Sequence, residues 1–218
     1  MIFLDSGDIN EIRKFNELGI IRGCTTNPSI MLRDKIKDID KAVLDISKEI
    51  FPYPLSVEVT SNDESEMLKQ AYHFSEINDN VNIKIPIHGP KGELYYLKVI
   101  EELSSDNIVI NATAMMNASQ MLLAALAGAR YVSLFAGRVN DMGVNALSEL
   151  KKIWRLIDRF DLDAYIICGS VREPLNVIEW LQFADIITVP PDILNKMIVH
   201  PYTSLTVQQF LQDAKKVI

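Results

Sequence analysis

A lysine in the middle of an apolar strand is the first chemical signal in this 218-residue sequence. In Asn80-Val81-Asn82-Ile83-Lys84-Ile85-Pro86, strand side chains alternate, so Lys84 and Asn82 share one face while Ile83 and Ile85 share the other. Desolvating an ammonium is costly unless it is paired. A buried lysine answers that cost by giving up its proton, and a neutral amine adds to carbonyl carbon. Taken alone, the segment also fits an edge strand whose lysine reaches solvent.

The same parity test groups polar side chains elsewhere. Phe3 and Asp5 share a face opposite Ile2 and Leu4, and Ser56, Glu58 and Thr60 oppose Val57 and Val59. Asn111 and Thr113 oppose Ile108, Ile110 and Ala112; Ser133 and Phe135 oppose Val132 and Leu134. Ser170 follows in phase with Ile166 and Cys168. These polar positions fall at or near the C-terminal ends of their segments. One polar residue in a strand would mean little. Five strands delivering Asp, Glu, Lys, Asn or Thr, and Ser to one mouth point to function, because each buried polar group costs free energy unless it is paired.

The elements that must position this set alternate from end to end. Strand patterns are predicted over Met1–Leu4, Ile21–Cys24, Leu55–Thr60, Asn80–Pro86, Ile108–Thr113, Tyr131–Ala136, Ala164–Cys168 and Asp185–Val189. Helical patterns lie between them: Asp8–Leu18, Asp38–Ile50, a helix capped by Asn62, Leu94–Leu103, Asn117–Ala127, Val144–Ile157 and Glu173–Phe183. A helix to Val199 and a last one over Leu205–Lys216 close the chain. Eight strand–helix units with short connections predict a single-domain α/β fold over 1–218, a (β/α)8 TIM barrel with an extra C-terminal helix. A doubly wound sheet is the runner-up, but no GxGxxG or GxxxxGK[ST] supports it. In a barrel the apolar strand faces meet the helices, so the polar faces line the interior and its catalytic rim.

Composition narrows the classes. Net charge of −7 argues against a nucleic-acid or anionic-membrane surface. No run approaches a membrane span and no signal-type segment opens the chain, so the expected location is cytoplasmic. Cys24 and Cys168 are far apart and His73, His88 and His200 are scattered, so reduced core cysteines and no protein-bound metal or cofactor are expected.

The stretches Phe3-Leu4-Asp5, Gly23-Cys24-Thr25-Thr26-Asn27-Pro28-Ser29, Val57-Glu58-Val59, Ile83-Lys84-Ile85-Pro86 and Asn111-Ala112-Thr113 resemble the small transaldolase family, which includes the fructose-6-phosphate aldolases. Ser133-Leu134-Phe135-Ala136-Gly137-Arg138 and Gly169-Ser170-Val171-Arg172 extend the likeness along the chain. The resemblance implies that Lys84 forms a Schiff base with a ketose donor and that Asp5 takes the C4 hydroxyl proton. Glu58 and Thr113 would position a water that shuttles protons during imine formation. Thr26, Asn27, Asn111, Ser133 and Phe135 would meet the dihydroxyacetone fragment, and Arg138, Ser170 and Arg172 would clamp the anion. Surface ion pairs of the arginines with Asp141 or Glu173 are the competing reading of that clamp.

Within the family, the aldolase branch carries glutamine and tyrosine where this chain has Glu58 and Phe135, so the resemblance favours the transaldolase branch. Leu134, Val171, Met115-Met116, His88-Gly89-Pro90 and Pro190-Pro191 depart from the family pattern and leave substrate choice open, phosphate or sulfonate. The alternatives are a lyase releasing free dihydroxyacetone, a lysine barrel for another keto substrate, and a non-catalytic sugar-phosphate-binding barrel. The last has no need of Lys84 or Asp5. Leu205, Val207, Phe210 and Leu211 on the last helix have few partners within a barrel, so a homo-oligomer is expected, and the resemblance implies pentamers or decamers.

Overall fold

Apolar residues at alternate positions give each strand a face that must be covered, and the intervening helices cover it. In the computed structural model, which describes residues 1–217, the strands are β1 (Ile2–Asp5), β2 (Cys24–Thr25), β3 (Leu55–Glu58), β4 (Val81–Pro86), β5 (Ile110–Met115), β6 (Tyr131–Phe135), β7 (Tyr165–Gly169) and β8 (Ile186–Val189). They pair in that order, all parallel, and β8 returns to β1 to close the barrel. Around it run α1 (Ile9–Glu17), α2 (Pro28–Arg33), α3 (Ile39–Ile50), α4 (Glu64–Ser75), α5 (Tyr95–Ser105) and α6 (Ala118–Leu126). The circuit ends with α7 (Ala136–Asp141), α8 (Ala146–Arg159), α9 (Pro174–Trp180), α10 (Pro191–Ile198) and α11 (Pro201–Val217).

On β1, β3, β4, β5 and β6 the predicted strand faces are the observed ones. Leu4, Leu55, Val57, Ile83, Ile85, Ile110, Val132, Leu134, Ile187 and Val189 point outward into the core shared with the helices. Inside, Phe3, Ile167 and Ile186, with Tyr131, form a separate apolar floor beneath the polar mouth. Gly23 lies against this floor: a Cβ there would come 2.7 Å from the Phe3 ring. Short side-chain caps start the helices. Asp8, Asp38, Asn117 and Asn145 each accept a hydrogen bond from a first-turn backbone N–H.

β3 stops at Glu58, short of Thr60, and α11 starts at Pro201, ahead of Leu205; four further differences from the pattern reading bear on the site. β2 begins at Cys24 and not at Ile21, because the chain must first pass flat over Phe3 at Gly23. β5 runs on to Met115 through a register shift between Ala112 and Met115, with Ala114 at φ 59°. Such a bulge re-aims the strand end at the site. The α4 cap is Asp63, whose Oδ1 accepts from the Glu66 N–H at 3.0 Å. Asn62 accepts instead from the Tyr96 hydroxyl at 3.1 Å. Finally, α7 begins directly after β6, so Arg138 sits within a helical turn and does not end the strand.

Cys24 and Cys168 are free and buried; burial pushes the Cys24 thiol up to about 12 and Cys168 well above its usual value. Neither offers a thiolate at neutral pH. No helix among the described residues is long and apolar enough to cross a membrane. α11 has no buried residue: Leu205, Val207, Phe210 and Leu211 are all exposed. Ile218, included in the expected C-terminal segment 205–218, lies outside the described residues.

One contact ties two rim loops together. A Cβ at Gly137 would overlap the backbone carbonyl oxygen of Ser170, so only glycine lets the start of α7 lie on the loop after β7. Gly137→Ala is therefore expected to destabilise the fold by about 1–3 kcal/mol, as overpacking does. Urea unfolding checks this, and a change within about 0.5 kcal/mol, the range of an ordinary surface substitution, would show that the two loops separate freely.

Candidate active site

The mouth of the barrel is a cavity of about 310 Å³ at the C-terminal ends of the strands. Lys84 lies at its base and is only 4% exposed. Its Nζ donates to the Thr26 carbonyl oxygen at 2.7 Å and stands 3.4 Å from Glu58 Oε2. Glu58 and Lys84 are register partners on β3 and β4, so strand pairing itself brings carboxylate and amine together. Glu58 Oε2 and Thr113 Oγ1 are both buried and have no hydrogen-bond partner among the described residues. Both oxygens retain the capacity to accept a hydrogen bond.

Asp5 enters from β1, beside Thr25 on β2, its register partner. The Thr25 hydroxyl donates to Asp5 Oδ1 at 2.7 Å and lies 2.5 Å from Thr188 Oγ1. A hydroxyl has one proton, so donation to Asp5 makes Thr188 the donor to Thr25. Burial pushes the Asp5 carboxyl above its usual range, and the Thr25 hydrogen bond and the Lys84 charge pull the other way. Deeper in the barrel, Ser133 Oγ donates to Asn111 Oδ1 at 2.6 Å and Asn111 Nδ2 donates to Ser56 Oγ at 3.0 Å. This chain locks the Asn111 amide in one orientation.

Arginines and the loops after β6 and β7 form the rim. The Arg138 guanidinium lies over the Phe135 ring, 4.9 Å from its centroid. Arg172 borders the mouth but pairs with Asp141 at 2.9 Å, both side chains being more than half exposed. The two readings of Arg172 thus coexist, since an exposed pair of this kind is worth little and yields readily to a ligand. Ser170 reaches the mouth by a route other than strand parity. Ile166 and Cys168 face outward, and the chain leaves β7 after Gly169 with Ser170 at φ 62°, which turns its side chain inward.

Of the twelve residues singled out, Asp5, Asn27, Lys84, Asn111, Thr113, Ser133, Phe135, Arg138, Ser170 and Arg172 border this one cavity. Thr26 does not. Its side-chain hydroxyl donates to the Ser56 carbonyl at 3.0 Å, and the residue contributes its backbone oxygen to Lys84. Alternation on β2 places Thr25 inward and Thr26 outward, so Thr25 takes the place expected of Thr26. Glu58 reaches Lys84 from the side without bordering the mouth. The Asn27 Oδ1 caps α2 by accepting from the Ile30 N–H at 3.0 Å, leaving the amide nitrogen for a ligand.

Thr25, Thr188, Ser29 and Arg33 were not anticipated. The signal for Thr25 and Thr188 was the parity of β2 and β8. Arg33 had none, because its helix is too short for periodicity. It is held by Asp34 at 2.7 and 2.9 Å, and Asp34 also accepts from the Gly7 N–H at 2.8 Å. Burial works against ionisation of Asp34, but Arg33 and Gly7 outweigh it and keep the carboxyl below the usual range. No group of three or more His, Cys, Asp or Glu among the described residues is arranged to hold a metal ion.

Known proteins resemble this chain in fold and in sequence. A crystal structure from Burkholderia cenocepacia J2315 superposes on 100% of this chain and 93% of that chain with a TM-score of 0.61 at 12% identity, a likeness of fold alone. A protein named "Probable transaldolase" from Nitrosopumilus maritimus (strain SCM1) is 39% identical over 220 residues, spanning 99% of this chain and 95% of that one. Another of that name, from Clostridioides difficile (strain 630), is 40% identical over 212 residues, spanning 97% and 95%. The family described as Transaldolase/Fructose-6-phosphate aldolase matches residues 2–218. The chain belongs to the transaldolase/fructose-6-phosphate aldolase family.

Proposed function

We propose that this family member is a class I transaldolase that moves a dihydroxyacetone unit from an anionic ketose to an aldehyde acceptor through a Schiff base on Lys84. The donor is a sugar phosphate such as fructose 6-phosphate or sedoheptulose 7-phosphate, or a sulfonated analogue. The observation that carries the reading is the buried Lys84 amine, 2.7 Å from the Thr26 carbonyl and 3.4 Å from Glu58, at the base of the mouth that Asp5 borders.

The amine attacks the donor's C2 carbonyl, and the hydroxyl of the carbinolamine leaves as water with a proton supplied from Glu58, assisted by Thr113. Asp5 then removes the C4 hydroxyl proton. The C3–C4 bond breaks, its electron pair passes into the iminium, and an aldose leaves while an enamine stays on Lys84. Asn111, fixed by Ser133 and Ser56, and the Asn27 amide hold the hydroxyls of the retained fragment. Attack of the enamine on an acceptor aldehyde reverses the sequence. Arg138, Ser170 and Arg172 hold the terminal anion against the overall charge of −7.

Three sets of measurements test this reading, the first on the chemistry at Lys84. Borohydride with donor is expected to add one sugar fragment at Lys84, and Lys84→Met to abolish both trapping and turnover; labelling at Lys91 or Lys98 would overturn the assignment. Product analysis over a donor–acceptor panel of phosphorylated and sulfonated sugars separates transfer from release of free dihydroxyacetone, the lyase alternative.

The second concerns Asp5, which must be ionised to accept a proton. The Thr25 hydroxyl stabilises the carboxylate, so losing it raises the Asp5 pKa further above the usual range. Thr25→Val is therefore expected to move the acidic limb of kcat/KM upward by about one pH unit, worth ~1.4 kcal/mol. An unmoved limb would remove Asp5 from the role of base.

The third is assembly. The exposed apolar residues of α11 support packing on a neighbouring subunit, and the expected homo-oligomer is a pentamer or decamer. Sedimentation at micromolar concentration checks it; a single species of 24.6 kDa would refute it.

A further inference from the structure

Forming an imine releases one water and hydrolysing it consumes one, so in every cycle water must leave the Lys84 amine once and reach it once. A ketose held from Lys84 to the rim arginines lies across the mouth and covers that amine from above. The structure offers another way in. A second cavity, of about 200 Å³, lies behind the site, with Thr26, Val57 and Glu58 at its inner end and Leu32, Ile39 and Thr60 at its outer end. Leu32 is 80% and Ile39 37% exposed, so the outer end meets solvent. At about 30 Å³ per molecule the space accommodates several waters.

Glu58 joins the two cavities. Its side chain is 15% exposed, yet it borders the rear cavity and not the mouth, while its Oε2 lies 3.4 Å from the Lys84 amine. Asn27 borders both and stands as part of the wall between them. The linings differ in charge. Arg33, Arg138 and Arg172 border the mouth, whereas no lysine or arginine borders the rear cavity, whose ionisable group is Glu58. An anionic sugar is drawn to the front and turned away at the rear by a carboxylate set in apolar walls; water is not.

We infer that the water and protons exchanged at Lys84 pass through this rear cavity by way of Glu58, leaving the mouth to the sugar; the inference rests on the imine chemistry proposed above. The step balances. The Lys84 nitrogen bonds C2 and its proton passes to the former carbonyl oxygen. The C2–O bond then breaks as Glu58 protonates that oxygen, giving iminium, carboxylate and one water. Hydrolysis runs the same events backward. The Lys84–Glu58 pair needs one proton per passage, and the rear cavity connects that carboxylate to solvent while substrate is bound.

Leu32→Trp and Ile39→Trp, alone and together, narrow the outer end without touching Lys84, Glu58 or the mouth. Two readouts are followed with fructose 6-phosphate: entry of 18O from labelled water into the ketone oxygen above the uncatalysed background, and the yield of borohydride-trapped adduct at equilibrium. A blocked path slows passage in both directions equally and leaves the equilibrium alone. The expected result is 18O exchange slowed by about tenfold, a small part of the ~10²–10⁴ that general acid–base catalysis contributes, with unchanged adduct yield. Exchange at the parent rate in the double variant would overturn the inference, as would a changed adduct yield, which would mean that the tryptophans act on the Lys84–Glu58 pair itself. Absence of any adduct in the unmodified enzyme would instead overturn the Lys84 reading, and the inference with it.

Discussion

The structure turns on a lysine that has been taken out of water. Lys84 is held by one carbonyl from the end of β2 and one carboxylate from the end of β3, and each of those strands pairs with its neighbour in the order that makes this possible. An ammonium so placed would be a liability of several kcal/mol with one partner removed. The register of β2, β3 and β4 and the position of the amine are therefore one constraint. A slip of one residue would turn Lys84 into the helix layer and Glu58 with it. Evolution cannot relax the site here without also relaxing the barrel.

How much of this was readable in the sequence depended on the physical scale of each signal. The barrel and the inward faces of β1, β3, β4, β5 and β6 follow from alternation, which needs only four or five residues to show itself. β2 is two residues long, so its alternation is a faint signal beside that of the longer strands, and Thr26 was favoured over Thr25. α2 and α7 have six residues each, too few for a helical period, which left Arg33 and the helical turn carrying Arg138 unnoticed. Ser170 was brought to the site by a parity argument that the structure contradicts; a single left-handed residue does what the strand could not. Such turns are set by contacts remote in sequence, here Gly137, and no local pattern reports them.

The charge distribution also separates scales. A chain with 29 acidic and 22 basic residues repels anions at a distance, but salt screens that field within about 8–10 Å. Within that range three arginines border the mouth from two sides, one fixed by Asp34 near β1 and two after β6 and β7. The pairing of Arg172 with Asp141 keeps one of them extended and ordered at little energetic expense. The outcome is a locally cationic opening on an acidic protein.

The contact between Gly137 and the Ser170 backbone has a wider consequence. It fuses the turns after β6 and β7 into one corner whose backbone is settled by packing, independently of the side chains that corner displays. The amine, the carboxylates and the two threonines beside Asp5 sit on the strands or at their ends; the corner carries Val171, Arg172 and Arg138. Exchange of residue 171 can therefore reshape the opening without moving the backbone that supports Ser170. The barrel divides into strands that place the polar groups and a corner that shapes the opening, and Leu134 and Val171 fall in or beside the second. The shape of the opening can thus change at this corner while the strand-borne groups below keep their places.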